Sequence, residues 1–213
     1  MIALVLSDIH GDTRALKAAN RAIREKHPDV VLLLGDITNM GEAEQARETM
    51  GMLAPARILG FAGNWEMPSA QEEIEKQGIS LHAKKEKIGE HTFVGFGGGL
   101  YENPGRFLHS EEEIGKTLGG LMKGEKKCVL LTHLPPLGTK IDLAKNGAHI
   151  GSAAVRMAIE KNKPLLHLCG HCHEAAGEEK IGGTLSINVG AAKDGKALLL
   201  RFNGGLEWEK AEL

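Results

Sequence analysis

Apolar runs recur along the chain at Ile2–Leu6, Val30–Leu34, Ile58–Phe61, Cys128–Leu131, Leu165–Cys169 and Ala197–Phe202. They are rich in Val, Ile and Leu and lack the strict alternation of a half-exposed strand. That pattern predicts strands covered on both faces. Between them the apolar positions switch to helical spacing. Leu16, Ala19 and Ile23 repeat after Asp12-Thr13, and Pro28 closes the segment. Ser69-x-x-Glu72 and Ser110-x-x-Glu113 predict capping boxes, each opening a charged, solvent-facing helix. Ser152 predicts the cap of a helix over Ala153–Lys163 ended by Pro164, and Glu42–Met52 a further short helix. Ile79–Phe96, Lys180–Val189 and Lys196–Trp208 read as hairpins, with Lys193-Asp194-Gly195 as a turn signal. Strands alternating with helices predict an α/β fold with a mixed sheet.

Polar residues follow the apolar runs in a repeated way. The motifs are Asp8-Ile9-His10, Gly35-Asp36, Gly63-Asn64-Trp65-Glu66, Thr132-His133 and Gly170-His171-Cys172-His173. One His or Asp after a strand usually caps or turns the chain, so no single motif carries weight. The ordered set does. Asp8, His10, Asp36, Asn64, His133, His171 and His173 offer carboxylate, amide and imidazole donors, a mixture suited to a pair of divalent ions rather than one closed structural zinc. A carboxylate is the natural bridge between two cations, since each oxygen can take one, and Asp36 is the candidate. Gly35 lets the backbone turn there.

In order and residue type these motifs resemble the calcineurin-like metallophosphoesterases, whose pattern runs D-x-H, G-D, G-N-H-[DE], a His, and G-H-x-H. The resemblance implies a four-layer sandwich of two packed mixed β-sheets flanked by α-helices, with residues 1–213 as a single domain. It implies one metal held by Asp8, His10, Asp36 and His173, and a second held by Asp36, Asn64, His133 and His171. The activity it implies is hydrolysis of small phosphodiesters, nucleotides among the candidates, by a metal-bridging hydroxide, with Asp36 and Asn64 in the catalytic set. Mn²⁺ is the expected activating ion in vitro, and Fe, Ni, Co and Zn suit the same donors.

Trp65 departs from that pattern, standing where the family has the His that protonates the leaving group. Indole cannot transfer a proton near neutral pH. A replacement acid is one consequence, and His149, before the helix capped by Ser152, is the candidate; that helix end could also offer N–H groups to an anion. Substrates whose leaving group needs no proton are another, with Trp65 stacking on a base or aryl ring. The alternative is a weakly active or inactive metal-binding scaffold on the same fold. In the family an acid at the Glu66 position supports the His that is missing here, so Glu66 reads as a leftover supporting group or a salt-bridge partner. Met40 stands where the protein phosphatases of this family have a phosphate-gripping Arg, which argues against that class. The second half, with His133-Leu134-Pro135-Pro136, Asp142 and Asn188-Val189-Gly190-Ala191 beside the metals, resembles a small phosphodiesterase branch. His27, His82, His91, His109 and His167 fall outside the pattern and read as surface or satisfied core residues.

Composition narrows the picture further. The 213 residues carry a net charge of −2, and their densest basic stretch is Lys84-Lys85-Glu86-Lys87, read as a solvated turn or edge strand. A stable nucleic-acid complex is not expected. No apolar run approaches the ~20 residues of a membrane span, the opening residues read as a strand rather than a signal peptide, and a cytoplasmic protein is expected. A homo-oligomer is compatible with the sequence. Cys128, Cys169 and Cys172 do not suggest a disulfide framework. Cys169-Gly170-His171-Cys172-His173 matches a haem-attachment pattern, but haem leaves the other motifs unexplained. Gly95–Gly105 is a glycine-rich loop, and Leu134–Gly151 is long enough to read as functional or disordered.

Overall fold

The computed structural model describes residues 1–53, 56–101, 106–203 and 205–213. Along the chain the strands are β1 (Ile2–Leu6), β2 (Val30–Leu34), β3 (Ile58–Phe61), β4 (Lys84–Ile88), β5 (His91–Phe96), β6 (Gly99–Leu100), β7 (Leu108–His109), β8 (Cys128–Thr132), β9 (Leu166–Cys169), β10 (Gly177–Ile181), β11 (Thr184–Asn188), β12 (Lys196–Phe202) and β13 (Leu206–Glu212). The helices are α1 (Thr13–Lys26), α2 (Ala43–Gly51), α3 (Pro68–Lys76), α4 (Glu111–Met122) and α5 (Ala153–Asn162).

Two large mixed sheets form, ordered β13-β12-β1-β2-β3 and β10-β11-β9-β8-β5-β4. In the first sheet β13/β12 and β12/β1 are antiparallel while β1/β2 and β2/β3 are parallel; in the second, parallel pairs occupy the centre and antiparallel pairs the two edges. The three hairpins expected from the sequence are the pairs β4/β5, β10/β11 and β12/β13. Side chains alternate between layers. Val30, Leu32 and Leu34 of β2 meet Phe93, Val129 and Leu168 of the other sheet in the central core. Val31 and Leu33 point the other way, onto Leu16, Ala19 and Ile23 of α1 and Ile74 of α3. Leu130 of β8 likewise packs on Ile114 and Leu118 of α4 and Val155 and Ile159 of α5. The apolar runs fail to alternate because both faces of each strand are covered. The result is the helix–sheet–sheet–helix sandwich. Truncating fully buried Phe93 to Ala would open the central layer at about 3–5 kcal/mol.

Helix α1 starts at Asp12, whose side chain accepts the N–H groups of Arg14 and Ala15, and it ends one residue before Pro28 at His27 in left-handed geometry. Ser110 and Ser152 cap α4 and α5, but the Glu113 side chain turns to His109 Nδ1 at 3.0 Å instead of completing the expected capping box. Ser69 does not cap α3. That helix begins at Pro68, whose fixed φ suits the first helical position and shifts the start to Met67. The lysines of β4 sit on a sheet edge, which suits an edge kept in water. The segment 134–151 is ordered around buried Asp142, which accepts the N–H groups of Gly138, Thr139 and Gly151 at 3.0, 2.8 and 3.2 Å. Of the glycine-rich loop, residues 102–105 lie outside the described residues. Among the described residues, no helix is long and apolar enough to cross a membrane.

Candidate metal centre

Every candidate ligand lies just past the carboxyl end of a strand that has a parallel neighbour: Asp8 and His10 after β1, Asp36 after β2, Asn64 after the edge strand β3, His133 after β8, and His171 and His173 after β9. Open α/β sheets commonly place their sites at that end. Ending there lets side chains from five strands meet although they are up to 165 residues apart in sequence. The turns are tight. Asp8, His10, Asp36 and His171 all have positive φ, at 55°, 49°, 49° and 68°. Gly35, at φ 91°, makes room as well, because a Cβ there would lie 2.6 Å from His133 Nδ1.

The donors converge in two groups. In one, His10 Nε2 and His173 Nε2 are 3.3 Å apart, and His173 Nε2 lies 3.1 Å from Asp8 Oδ1. In the other, Asn64 Oδ1 lies 2.7 Å from His133 Nε2 and 2.9 Å from His171 Nδ1. Asp36 stands between them. Its Oδ2 is 3.7 Å from His10 Nε2, and its Oδ1 is 3.5 Å from His133 Nε2. Asp8 also reaches both sides as a member of clusters with His10 and His173 and with Asp36 and His133. However, Asp8 Oδ2 accepts the N–H of His171 at 3.0 Å, so Oδ1 is the oxygen turned to His10 and His173. Donors about 2.0–2.2 Å from one ion lie roughly 3–4.4 Å from each other. The spacings among Asp8, His10, Asp36, His133 and His173 fall in that range, whereas the two Asn64 contacts, at 2.7 and 2.9 Å, are hydrogen-bond distances that would open slightly to admit an ion.

Neighbouring bonds orient the ligands. Leu34 O accepts His133 Nδ1–H at 2.7 Å, which turns Nε2 into the site. Burial opposes the charge on His133, but the Asp36 carboxylate overcomes it and lifts the imidazole to about 9. Burial, helped by the His133 charge, pulls His171 down to about 4. Burial likewise opposes ionisation of Asp8, yet the His173 hydrogen bond and the His133 charge hold it at about 2. Asn188 Nδ2–H donates to Ile141 O at 3.0 Å and Cys172 O at 2.8 Å, fixing the turn between His171 and His173. Cys169 and Cys172 are both buried.

Glu66 has a structural task that its sequence position did not disclose. It is fully buried, and it accepts the N–H of Thr38 at 2.7 Å and that of Gly63 at 2.6 Å. Trp65 donates its N–H to Asp36 Oδ1 at 2.9 Å, meets the His10 ring edge-on at 5.6 Å, and is 40% exposed. A cavity of about 440 Å³ opens beside it, lined by Asn64, Trp65, Arg106, Leu134, Ile150 and His171 among others. Met40 is exposed at φ 61°.

Among the described residues, the hydrogen-bond partner of His149 is Asp142 and not one of the seven donors. Its Nδ1 is 2.7 Å from Asp142 Oδ1, and Ile150 is the neighbour that lines the cavity. The first N–H groups of α5 are not free for an anion either. Glu111 accepts those of Ala153 and Ala154 at 2.8 and 2.9 Å, and Ser152 Oγ accepts that of Val155 at 3.1 Å. The histidines outside the pattern are not all satisfied core residues: His109 Nε2 and His167 Nδ1 are buried with no hydrogen-bond partner among the described residues.

The uncharacterized protein MJ1162 of Methanocaldococcus jannaschii is 29% identical over 214 residues, covering 93% of this chain and 95% of that one. The crystal structure of TT1561 of Thermus thermophilus has a TM-score of 0.76 at 19% identity, over 98% of this chain and 97% of that one. A dimetal phosphatase from Danio rerio has a TM-score of 0.70 at 12% identity, over 100% and 96%. These structural likenesses establish a shared fold. The calcineurin-like phosphoesterase model matches residues 1–175, the stretch that contains all seven converging donors. On that match the chain belongs to the calcineurin-like phosphoesterase family, a family of metal-dependent phosphoesterases.

Proposed function

We propose that this phosphoesterase hydrolyses small phosphodiesters with two divalent ions, working as one domain over residues 1–213. Asp8, His10 and His173 would hold one ion, and Asn64, His133 and His171 the other, with Asp36 shared. The observation that carries this reading is the division of the Asp36 carboxylate, one oxygen turned to His10 and one to His133. When bound, such a pair of ions activates water and neutralises charge on the phosphoryl oxygens. Mn²⁺ is the ion we expect to activate in vitro.

The chain's own residues supply the rest. Asn64 adds a neutral donor, so the centre stays cationic enough to receive an anion. Glu66 holds the Asp36 and Asn64 turns together. Trp65 offers an exposed aromatic face at the cavity and no transferable proton. Diesters with stable leaving groups suit that arrangement, and a cavity of about 440 Å³ is the size of ordinary small-ligand sites. The missing acid also favours a second reading, a metal-bearing platform without turnover.

Hydrolysis of bis(p-nitrophenyl) phosphate by metal-stripped protein, with and without Mn²⁺ and beside Asp36→Asn, separates the two. Mn²⁺-dependent turnover lost in the variant supports the enzyme. Two bound ions with no turnover support the platform.

A further inference from the structure

We propose that Arg106 receives the leaving oxygen of the substrate, braced on Trp65, and that this pair selects esters whose leaving group departs as an anion. The proposal rests on the phosphodiesterase reading above and names the residue that does the work of the absent acid.

Arg106 is tied to the metal-side turn at three points. Its Nη1–H donates to the carbonyl of Trp65, its guanidinium carbon lies 5.7 Å from the centre of the Trp65 ring, and the next residue, Phe107, donates its N–H to Glu66 O at 3.0 Å. Trp65 in turn donates its own N–H to Asp36 Oδ1. One residue therefore fixes the guanidinium relative to the carboxylate shared by the two donor groups. Backbone packing adds to this. Gly99 N–H donates to Phe107 O at 3.0 Å, and a Cβ on Gly99 would collide with Cβ of Asn64. The strands β6 and β7 flanking Arg106 are thus seated directly on the Asn64 turn. Arg106 and Trp65 line the same cavity as Asn64 and His171.

A guanidinium has five N–H groups, of which the Trp65 carbonyl takes one. The remainder form a planar fork matched to phosphate and other oxyanions. It supplies charge and hydrogen bonds but gives up no proton near neutral pH. In the cleavage the oxygen of water bonds to phosphorus and the P–O bond to the leaving group breaks. The electron pair stays on the leaving oxygen beside Arg106, and both protons of the water pass to solvent. Leaving groups that carry negative charge well fit this chemistry: aryl oxides, and the phosphate of a pyrophosphate linkage. Leu134 and Ile150 give the cavity an apolar wall for the body of such a group.

The test compares wild type with Arg106→Gln and Arg106→Lys in two experiments. In the first, Mn²⁺-loaded protein hydrolyses a series of methyl aryl phosphates of graded leaving-group acidity, together with diadenosine pyrophosphate. Arg106→Gln is expected to steepen the dependence of kcat/KM on leaving-group acidity, and Arg106→Lys to restore part of it. A uniform loss at unchanged slope would reduce Arg106 to a structural support and overturn the proposal. If only the aryl series responds, the anion is an aryl oxide; if diadenosine pyrophosphate responds more, it is a phosphate. The second experiment needs no turnover. With Trp208→Phe as background, the emission of Trp65 is followed in metal-stripped protein as inorganic pyrophosphate or phenyl phosphate is added. A saturable change weakened at least about tenfold by Arg106→Gln is expected. Equal binding would overturn the role of Arg106. If wild type hydrolyses no ester, the phosphodiesterase reading fails, and this second experiment still decides whether Arg106 receives anions.

Discussion

Glu66 holds Thr38 twice, accepting its backbone N–H at 2.7 Å and its hydroxyl at 2.9 Å through the same oxygen. The other oxygen takes the N–H of Gly63, so one buried side chain ties the Asp36 turn to the Asn64 turn. Burial, with the Asp36 charge adding to it, pushes Glu66 up to about 7 against the pull of those N–H groups. Glu66→Ala would leave two buried N–H groups unpaired at about 1–3 kcal/mol each. We expect a lower melting temperature and metal affinity reduced about 10–100-fold, with Glu66→Gln in between because its amide oxygen keeps one side of the tie. Calorimetry and chelator titration measure both. Unchanged metal affinity in Glu66→Ala would show that the turns hold without the tie.

Asp36→Asn tests the shared carboxylate. An amide presents one oxygen where the carboxylate presents two. Elemental analysis should find fewer than two ions per chain, and turnover should disappear. A fully metallated, active variant would remove the sharing from the mechanism.

Trp65→His restores an imidazole beside His10. Proton donation of this kind contributes about 10²–10⁴-fold. The gain should fall on esters with poor leaving groups and be small for activated ones. An equal gain on both would mean that the missing proton is not what limits the enzyme.

Acid stability should depend on two rings outside the ligand set. Burial, with the His109 charge adding to it, pulls His82 down to about 3, and burial alone does the same to His167. Unfolded, each takes a proton near the ordinary imidazole value of 6.5. Between those values the unfolded chain binds more protons. Stability is therefore full above the unfolded value and is lost as pH falls towards the folded one, at up to about 1.4 kcal/mol per pH unit for each ring. Urea unfolding of metal-stripped protein across this window should show a shallower pH slope in His167→Leu, by up to one proton. An identical slope would mean that His167 does not titrate on unfolding.

The candidate ligand set is legible because each ligand or ligand pair follows its own strand, and an abrupt end to an apolar run is a local signal. The strands themselves were legible for the same reason: burial on both faces leaves an uninterrupted Val, Ile and Leu pattern. What could not be read depends on pairing across the chain. Glu66 differs from any acidic turn residue only through Thr38, 28 positions earlier. Arg106 meets Trp65 across 41 positions, with no local pattern marking either end. The N–H groups at the start of α5 looked available because Glu111, 42 residues before Ala153, gives no sign in sequence that it occupies them. The start of α3 was misplaced for a simpler reason: a good capping residue at Ser69 was outweighed by Pro68 one position earlier.

Asp8, His10, Asp36 and His171 each hold left-handed backbone without being glycine. An L-residue in that conformation gives up roughly 1–2 kcal/mol that glycine would not. Selection for stability alone would therefore erode this centre first, since glycine at any of the four positions relaxes the backbone while removing a donor. A library of variants sorted only for thermal resistance should enrich glycine at these positions, and the same library sorted for phosphodiester turnover should exclude it. The places where the two selections disagree most would outline the working centre without any ligand being seen.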